Sequence, residues 1–388
     1  MKTPTGDQAL IKRMNTAIVL ESVLRDAPLS RADISALTGL NKATVSSLVQ
    51  DLIDTGLVRE IGTGQSSGGR KPVLLEFVAE SGYAIGIDLG VNYIRGVLAD
   101  LRGAVVLERT VQLDRTSPEE IFGILRPFIQ AIIDDSPQSV YGVVGIGVGV
   151  PGLVDRSGAV LYAPNLDWRE VPLQDALSRA FGIPVLIDNE ANVGAIGERK
   201  FGSGRGLGSM IYVSVGIGIG TGLILQKELY KGAAGFSGEM GHLSIEAHGP
   251  ACRCGNRGCW ELYASEQALL DRAAEAGIGE GTLDGLLALA ESGDEAVRKL
   301  FADIGESLGV GIANIVNVFN PEAIVIGNTM SRARAWLEDA MIRTTESRAL
   351  NFHLRGIRLL FSELGDRSAV MGAAETAIAA FFKRLRSA

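Results

Sequence analysis

Three cysteines and a histidine lie close together near the middle of the chain, and their types and spacing indicate metal chemistry. The segment GEMGHLSIEAHGPACRCGNRGCWE, residues 238–261, holds all three cysteines of the 388-residue chain within eight positions. Thiolates and imidazole are the donors of closed tetrahedral zinc sites, and four protein donors leave no position for a water molecule. We therefore predict a structural zinc ion bound by His242, Cys252, Cys254 and Cys259.

The same cysteines have two alternative interpretations, either three buried free thiols or one disulfide with a thiol left over. A Cys-x-Cys pair does not easily bridge to itself, and an odd number of cysteines in a cytosolic protein favours metal binding. Gly255 and Gly258 allow the loop between the last two thiols to fold back sharply. Glu239 and Glu261 flank the donors, so we expect the metal to fix the walls of a pocket rather than to perform chemistry.

Length and composition are those of an ordinary globular protein with two or three domains. The chain is 21% charged and 46% hydrophobic, with a net charge of −8. No apolar run reaches the ~18 residues of a membrane-spanning helix. The opening MKTPTGDQ lacks the apolar segment of a secretory signal. Together with the free cysteines, these features predict a cytoplasmic protein with no membrane partner.

The start of the chain predicts a small helical module. Apolar residues recur at helical spacing over residues 8–26. Ser30 is a potential N-cap of a second, short helix and Asn41 of a third, with Gly39 in the turn between them. Two short helices joined by a glycine-containing turn form a helix-turn-helix.

A hairpin is predicted to follow these helices, because residues 57–62 and 72–78 alternate between apolar and polar side chains. Residues 1–80 are therefore predicted to be a winged helix-turn-helix that binds double-stranded DNA, and the alternative is a helical protein-interaction module. These residues carry nine basic and nine acidic side chains. Local contact with DNA is compatible with that balance, whereas generic coating of DNA by long-range charge is not favoured.

The outward face of the third helix is small and polar, which suits a helix that lies deep in the major groove. The loop of the hairpin adds two basic residues that can reach phosphates or a minor groove. The predicted DNA-binding residues are Lys42, Ala43, Thr44, Ser46, Ser47 and Gln50 in the helix, and Arg70 and Lys71 in the loop.

From residue 83 the sequence changes to apolar strands separated by glycine-rich turns. Strands are predicted at residues 83–90, 93–100 and 104–111, and a similar order of strand, glycine loop and strand returns at residues 210–225. The repeat indicates an α/β body of two related lobes that face a cleft. Helices are predicted over residues 118–135, 172–181, 190–200, 262–276, 296–320 and 368–386.

The cysteine segment resembles the signature of a known family. The pattern Gly-His, six residues, Gly-x-x-Cys-x-Cys-Gly-x-x-Gly-Cys-x-Glu, residues 241–261, is similar at every fixed position to that of the ROK family of repressors, open reading frames and kinases. The resemblance implies a two-lobed fold of the actin/hexokinase type, preceded here by the winged helix-turn-helix. The implied sugar-binding domain covers residues 81–388, with one lobe at roughly 81–190 plus the C-terminal helix and the other at roughly 191–365.

The loop that meets ATP phosphates in the family's kinases is altered in this chain. Those kinases have Asp-x-Gly-Gly-Thr-Lys, whereas this chain has Asp88-Leu-Gly-Val91-Asn92-Tyr93, which replaces a glycine, a hydroxyl group and a cation. Glu190 stands where the kinases carry a catalytic Asp, and a displacement of ~1 Å can cost ~10²-fold in rate. We therefore expect no enzymatic activity and no catalytic residue.

The resemblance implies that the sugar site is better preserved, because residues 150–155 and 163–168 resemble the family's sugar-binding loops. Each sugar hydroxyl removed from water needs a new partner, so such pockets contain many planar polar groups. Trp168 is expected behind these groups or stacked on the sugar ring, and His242 can donate through the nitrogen that zinc leaves free. The predicted ligand-binding residues are Asn165, Asn189, Glu190, Glu239, His242 and Glu261.

A DNA-binding module joined to an altered kinase fold is typical of the family's repressor branch. Residues 40–47, 61–70, 164–169 and 235–242 resemble the xylose-responsive repressors of Gram-positive bacteria. This implies a homodimer that binds a palindromic operator and is released by D-xylose. Three alternatives remain open. They are an ATP-dependent sugar kinase with a DNA-binding module, a repressor that answers glucose or an N-acetylhexosamine, and a zinc sensor.

Overall fold

Residues 8–64, 71–114, 117–279 and 281–387 are described by the computed structural model of the chain. The N-terminal elements form a compact head, in which three helices pack on a small antiparallel sheet. They are α1 (Gln8–Asp26), β1 (Leu29–Ser30), α2 (Arg31–Thr38), α3 (Lys42–Asp54), β2 (Val58–Thr63) and β3 (Val73–Phe77). The sheet order is β1-β3-β2, so the predicted helix-turn-helix with its wing is confirmed.

Local hydrogen bonds explain why the head folds where it does. The Ser30 hydroxyl accepts from the Asp33 amide at 3.2 Å, and the Asp33 carboxylate accepts from the Ser30 amide at 2.9 Å. This reciprocal capping box starts α2. Gly39, with φ 72°, ends α2 in the left-handed conformation, and Asn41 accepts from the Thr44 amide at 2.8 Å to start α3.

The first lobe of the body is built on a five-stranded sheet. Its elements are β4 (Tyr83–Leu89), β5 (Tyr93–Asp100), β6 (Val105–Gln112), α4 (Pro118–Asp134), β7 (Val143–Val150), β8 (Leu153–Val154), β9 (Val160–Ala163), β10 (Trp168–Val171), α5 (Leu173–Phe181) and β11 (Val185–Asn189). The sheet order is β11-β7-β4-β5-β6, in which β4, β5 and β6 form an antiparallel meander and β4, β7 and β11 run parallel. The strands β8, β9 and β10 make a separate small sheet.

The second lobe repeats this plan. Its elements are β12 (Met210–Val215), β13 (Ile219–Leu225), β14 (Glu228–Leu229), α7 (Glu261–Ala264), α8 (Glu266–Glu275), α9 (Leu283–Ser292), α10 (Glu295–Phe319), β15 (Ala323–Gly327), α11 (Arg334–Arg348) and β16 (Arg358–Phe361). The sheet order is β14-β13-β12-β15-β16, in which β12, β13 and β14 form the meander and β12, β15 and β16 run parallel. The internal repeat predicted from the sequence is therefore confirmed.

Two helices, α6 (Glu190–Phe201) and α12 (Ser368–Ser387), lie against each other between the lobes. Their backbones touch at glycines. A methyl group at Gly372 would overlap the Val193 carbonyl oxygen, and one at Gly197 would overlap the Ser368 carbonyl oxygen. Within the described residues, neither of these helices nor any other is both long and apolar enough to cross a bilayer.

The far end of α12 packs against the head. Phe382 lies 5.9 Å from the Phe77 ring and Phe381 lies 5.1 Å from the Tyr141 ring, measured between ring centroids. The Tyr141 hydroxyl donates to the Thr55 carbonyl oxygen, at the end of α3, at 2.9 Å. The head is therefore held to the body by packed aromatic rings and a hydrogen bond to its third helix.

Candidate functional site

The structure brings the four predicted metal donors together. The donor atoms of His242, Cys252, Cys254 and Cys259 all lie within 4.8 Å of one another, and the three cysteines form no disulfide. The Sγ atoms of Cys254 and Cys259 are 3.7 Å apart, as are Cys252 Sγ and His242 Nδ1. Donors at ~2.3 Å from a tetrahedral zinc ion are ~3.7 Å from each other, so the donor set fits a metal of this kind.

Backbone hydrogen bonds and one glycine hold the donor loop in shape. The Cys252 amide donates to the Asn256 carbonyl oxygen at 2.8 Å, and Ser244 pairs with Cys259 in an isolated bridge. Gly258 has φ 64°, and a methyl group there would overlap the Glu246 carbonyl oxygen. A glycine is therefore required at that turn.

The two carboxylates that flank the metal donors lie beside different ring nitrogens of His242. Glu261 Oε1 lies 3.2 Å from both His242 Nδ1 and Cys252 Sγ, whereas Glu239 Oε2 lies 4.0 Å from His242 Nε2. Burial raises the pKa of Glu239. Nδ1 faces the thiol of Cys252, so Nε2 is the ring nitrogen on the other side, and its role in ligand binding stays a prediction.

Glu190, at the start of α6, is the predicted ligand-binding residue whose pKa is raised to about 8. The Ser214 hydroxyl donates to its two carboxylate oxygens at 3.0 and 3.1 Å, and Asn328 Nδ2 lies 3.4 Å from Oε1. Burial, together with the nearby carboxyl group of Asp88, raises the pKa of Glu190 to about 8. Sequence reasoning missed both Ser214 and Asn328.

Asp88 lies close enough to Glu190 to raise its pKa, and it is itself 1% exposed. Burial raises its pKa to about 6. The Tyr93 hydroxyl donates to Asp88 Oδ2 at 2.8 Å, whereas Oδ1 has no hydrogen-bond partner among the described residues. The Tyr93 ring lies directly on Gly90, where a methyl group would overlap it. Tyr93 therefore covers the loop that the sequence identifies as altered.

The other side chains expected in the sugar site differ in their burial and in the hydrogen bonds that they already form. The Asn189 side chain caps α6 by accepting from the Ala191 amide at 2.8 Å, and it donates to the Gly152 carbonyl oxygen at 2.8 Å. Asn165 is half-buried. Trp168 is fully buried in the core of the first lobe. Its ring therefore has no exposed face to stack on a sugar, which rules out that alternative, whereas a position behind the ligand-binding groups stays a prediction.

The third helix of the head has the two faces that the sequence predicts. Val45, Leu48, Val49 and Leu52 are buried. Among the predicted DNA-binding residues, Arg70 lies outside the described residues. Lys42, Ala43, Ser46, Ser47, Gln50 and Lys71 are exposed and Thr44 is half-buried.

The pKa of Glu190 leads to an expected pH dependence of stability. Because the folded chain keeps a proton that the unfolded chain has lost, the free energy of unfolding should fall as pH rises from about 5 to about 8. Asp88 contributes in the same direction at the lower end of this range. Glu190→Gln should flatten the profile, which urea unfolding at several pH values would measure. The exposed Glu228→Gln should leave it unchanged, and identical slopes for all three proteins would contradict the prediction.

The fold and the site define a two-lobed protein with an attached DNA-binding domain. The chain belongs to the ROK family, whose sequence profile matches residues 84–380, and the profile of the MarR family matches residues 11–66. The chain is 42% identical to the xylose repressor of Bacillus subtilis strain 168 over 367 residues, which is 95% of each chain.

Solved structures extend these similarities to the fold. A ROK family transcriptional regulator, a homologue of the Escherichia coli MLC protein, superposes with a TM-score of 0.82 at 27% identity and covers 97% of this chain and 98% of that one. A ROK family glucokinase from Streptomyces griseus, in complex with glucose and AMPPNP, has a TM-score of 0.69 at 29% identity, covering 76% of this chain and 98% of that one.

Proposed function

We propose that this chain is a sugar-responsive transcriptional repressor that binds operator DNA through its head and releases it when D-xylose enters the cleft. The observation that carries the proposal is the fusion of a helix-turn-helix head to a kinase-like body in which Tyr93 covers the phosphate loop. The 42% identity to a xylose repressor along 95% of the chain supports both the repressor role and the choice of sugar.

The proposed sugar ligands are Asn165, Asn189, Glu190, Glu239, His242 and Glu261. Glu190 is half-buried and Glu239 is exposed, and the carboxyl group of each can form a hydrogen bond with a sugar hydroxyl. Asn189 contributes mainly by fixing the start of α6, since both ends of its amide bind backbone groups. The proposed pocket would therefore lie between the end of β11 with the start of α6 on one side and the loop of metal donors on the other.

A structural zinc ion is proposed at His242, Cys252, Cys254 and Cys259. When bound, it would supply a fixed link between the turn that carries His242 and the loop that carries the thiols. The bound ion would fix the position of His242, whose Nε2 lies 4.0 Å from Glu239 Oε2, so that both side chains could bind the sugar. No chemical step is assigned to the metal.

We propose that residues 1–80 form the DNA-binding domain and residues 81–388 the sugar-binding domain, with lobes at roughly 81–190 plus α12 and at roughly 191–365. A homodimer would hold two heads at the spacing of successive major grooves, ~34 Å. The sugar can weaken DNA binding only through its different affinity for two arrangements of the dimer.

The proposal is tested by electrophoretic mobility shift on the operator with and without D-xylose. Operator affinity should fall at saturating D-xylose and stay unchanged with a sugar that does not bind. Glucose and N-acetylglucosamine are tested in parallel, because release by one of them instead would reassign the inducer. Unchanged affinity with every sugar would reject the repressor mechanism.

A sugar kinase is the competing function, and coupled measurement of ADP release distinguishes it. The side chains of Val91 and Tyr93 in the phosphate loop, and Glu190 in place of an aspartate, favour the absence of turnover. Turnover of any tested sugar at ordinary kinase rates, about 1–100 s⁻¹, would overturn the assignment.

A further inference from the structure

Asn328 has a backbone conformation that asparagine rarely adopts. It follows directly on β15, with φ 66° and ψ −164°. This region is occupied almost only by glycine, because a Cβ atom crowds the neighbouring peptide groups. A residue other than glycine persists in such a conformation only where the surrounding structure compensates, and such positions cluster at functional sites.

Both ends of the Asn328 side chain are used. Its Oδ1 accepts from the Thr329 amide at 2.7 Å, and its Nδ2 donates to Ser214 Oγ at 2.9 Å and approaches Glu190 Oε1 at 3.4 Å. The Thr329 amide can only donate, so Oδ1 must face it and Nδ2 must face Glu190. The orientation of the amide is therefore determined by its partners.

Ser214 completes the arrangement. Its hydroxyl oxygen accepts from Asn328 and lies 3.0 and 3.1 Å from the two carboxyl oxygens of Glu190, within hydrogen-bonding distance of both. Gly216 leaves the space that the amide needs, since a methyl group there would come within 3.0 Å of Asn328 Nδ2. Ser214 in β12 and Asn328 directly after β15 thus hold one carboxyl group at the start of α6.

We propose that Asn328 is a positioning residue for the sugar. Its side-chain amide holds the Glu190 carboxyl group in place to bind a sugar hydroxyl, and this role compensates for the strained backbone at Asn328. The inference rests on the proposed role of Glu190 in the sugar site. Asn328 itself need not touch the sugar, because it acts through Glu190 and Ser214. The expected signature is a substitution that relieves strain but weakens sugar binding.

The test compares Asn328→Gly and Asn328→Asp with the unaltered protein, using calorimetric titration with D-xylose and thermal unfolding without sugar. Glycine removes both the strain and the donor, so we expect an equal or higher Tm and an affinity about 10-fold weaker, which is about 1.4 kcal/mol. Aspartate keeps the strain and the acceptor for Thr329 but loses the donor. It should weaken sugar binding at least as much and lower the Tm.

Asn320→Gly is the matched control. Asn320 also has a positive φ, 43°, but it is exposed at the end of α10. Its replacement should leave sugar affinity unchanged. If the unaltered protein binds none of the tested sugars, the proposed function fails. If it binds D-xylose and Asn328→Gly binds equally well, or if Asn328→Gly lowers the Tm, the positioning role of Asn328 is overturned.

Discussion

If the proposed zinc ion is bound, replacing Cys259 by serine should release it and lower the free energy of unfolding by several kcal/mol. Cys259 is fully buried and lies 3.7 Å from Cys254, Sγ to Sγ. A neutral serine hydroxyl is a poor zinc ligand, and the apparent binding free energy of structural zinc in zinc-finger peptides is about 10–16 kcal/mol at neutral pH. That binding free energy is comparable with the whole stability margin of a domain, about 5–15 kcal/mol, so losing part of it should be measurable.

Metal content by mass spectrometry and thermal unfolding measure this effect together. The unaltered protein should contain about one zinc ion per chain and lose stability on treatment with a chelator. Ala264→Ser is the control, because Ala264 is also fully buried and close in sequence but is not a predicted metal ligand. A native protein that contains no metal, and whose Tm does not change on treatment with a chelator, would favour the interpretation of buried free thiols.

Gly372→Ala should destabilise the fold by about 3 kcal/mol or more, because the added methyl group meets a backbone atom. The carbonyl oxygen of Val193 occupies that position, and it belongs to α6, so no side chain can rotate away. Either α6 and α12 separate or the helices distort. Urea unfolding of the variant would measure the loss.

Gly123→Ala provides the opposite expectation in the same protein. Gly123 also lies within a helix, α4, but it is exposed and a methyl group there meets nothing within 4 Å. Alanine is the better helix former by up to about 1 kcal/mol, so this variant should be as stable as the unaltered chain or more stable. Equal destabilisation by both changes would show that the contact between α6 and α12 is not what limits substitution.

Features set by short-range chemistry were predictable from the sequence. Ser30, Gly39 and Asn41 mark the turns of the head, since capping and left-handed turns depend on residues within three or four positions. The grouping of the three thiols with His242 was predictable for a similar reason, because all four lie within 18 positions. The two-lobed repeat was visible because strands and glycine turns recur in the same order.

Features set by long-range packing were not predictable. Asn328 and Glu190 are separated by 138 positions, and neither has a neighbour in sequence that indicates the contact. The burial of Trp168 depends on the small sheet of the first lobe, which local periodicity did not reveal. The predicted helix over residues 262–276 is broken at Ser265, whose hydroxyl accepts from the Ala268 amide and starts a new helix. The helices α9 and α11 were missed.

The contact between Tyr141 and the end of α3 has a consequence for how such regulators could be recombined. A DNA-binding head joined to its body only by a flexible linker could be exchanged between proteins as an independent domain. Here the carbonyl of Thr55 and the ring of Phe77 dock on groups supplied by the body, namely Tyr141 and Phe382. A chimaera that transfers residues 1–80 alone would leave these docking groups behind. Its head would retain its operator preference yet lose the fixed orientation through which the body can govern it.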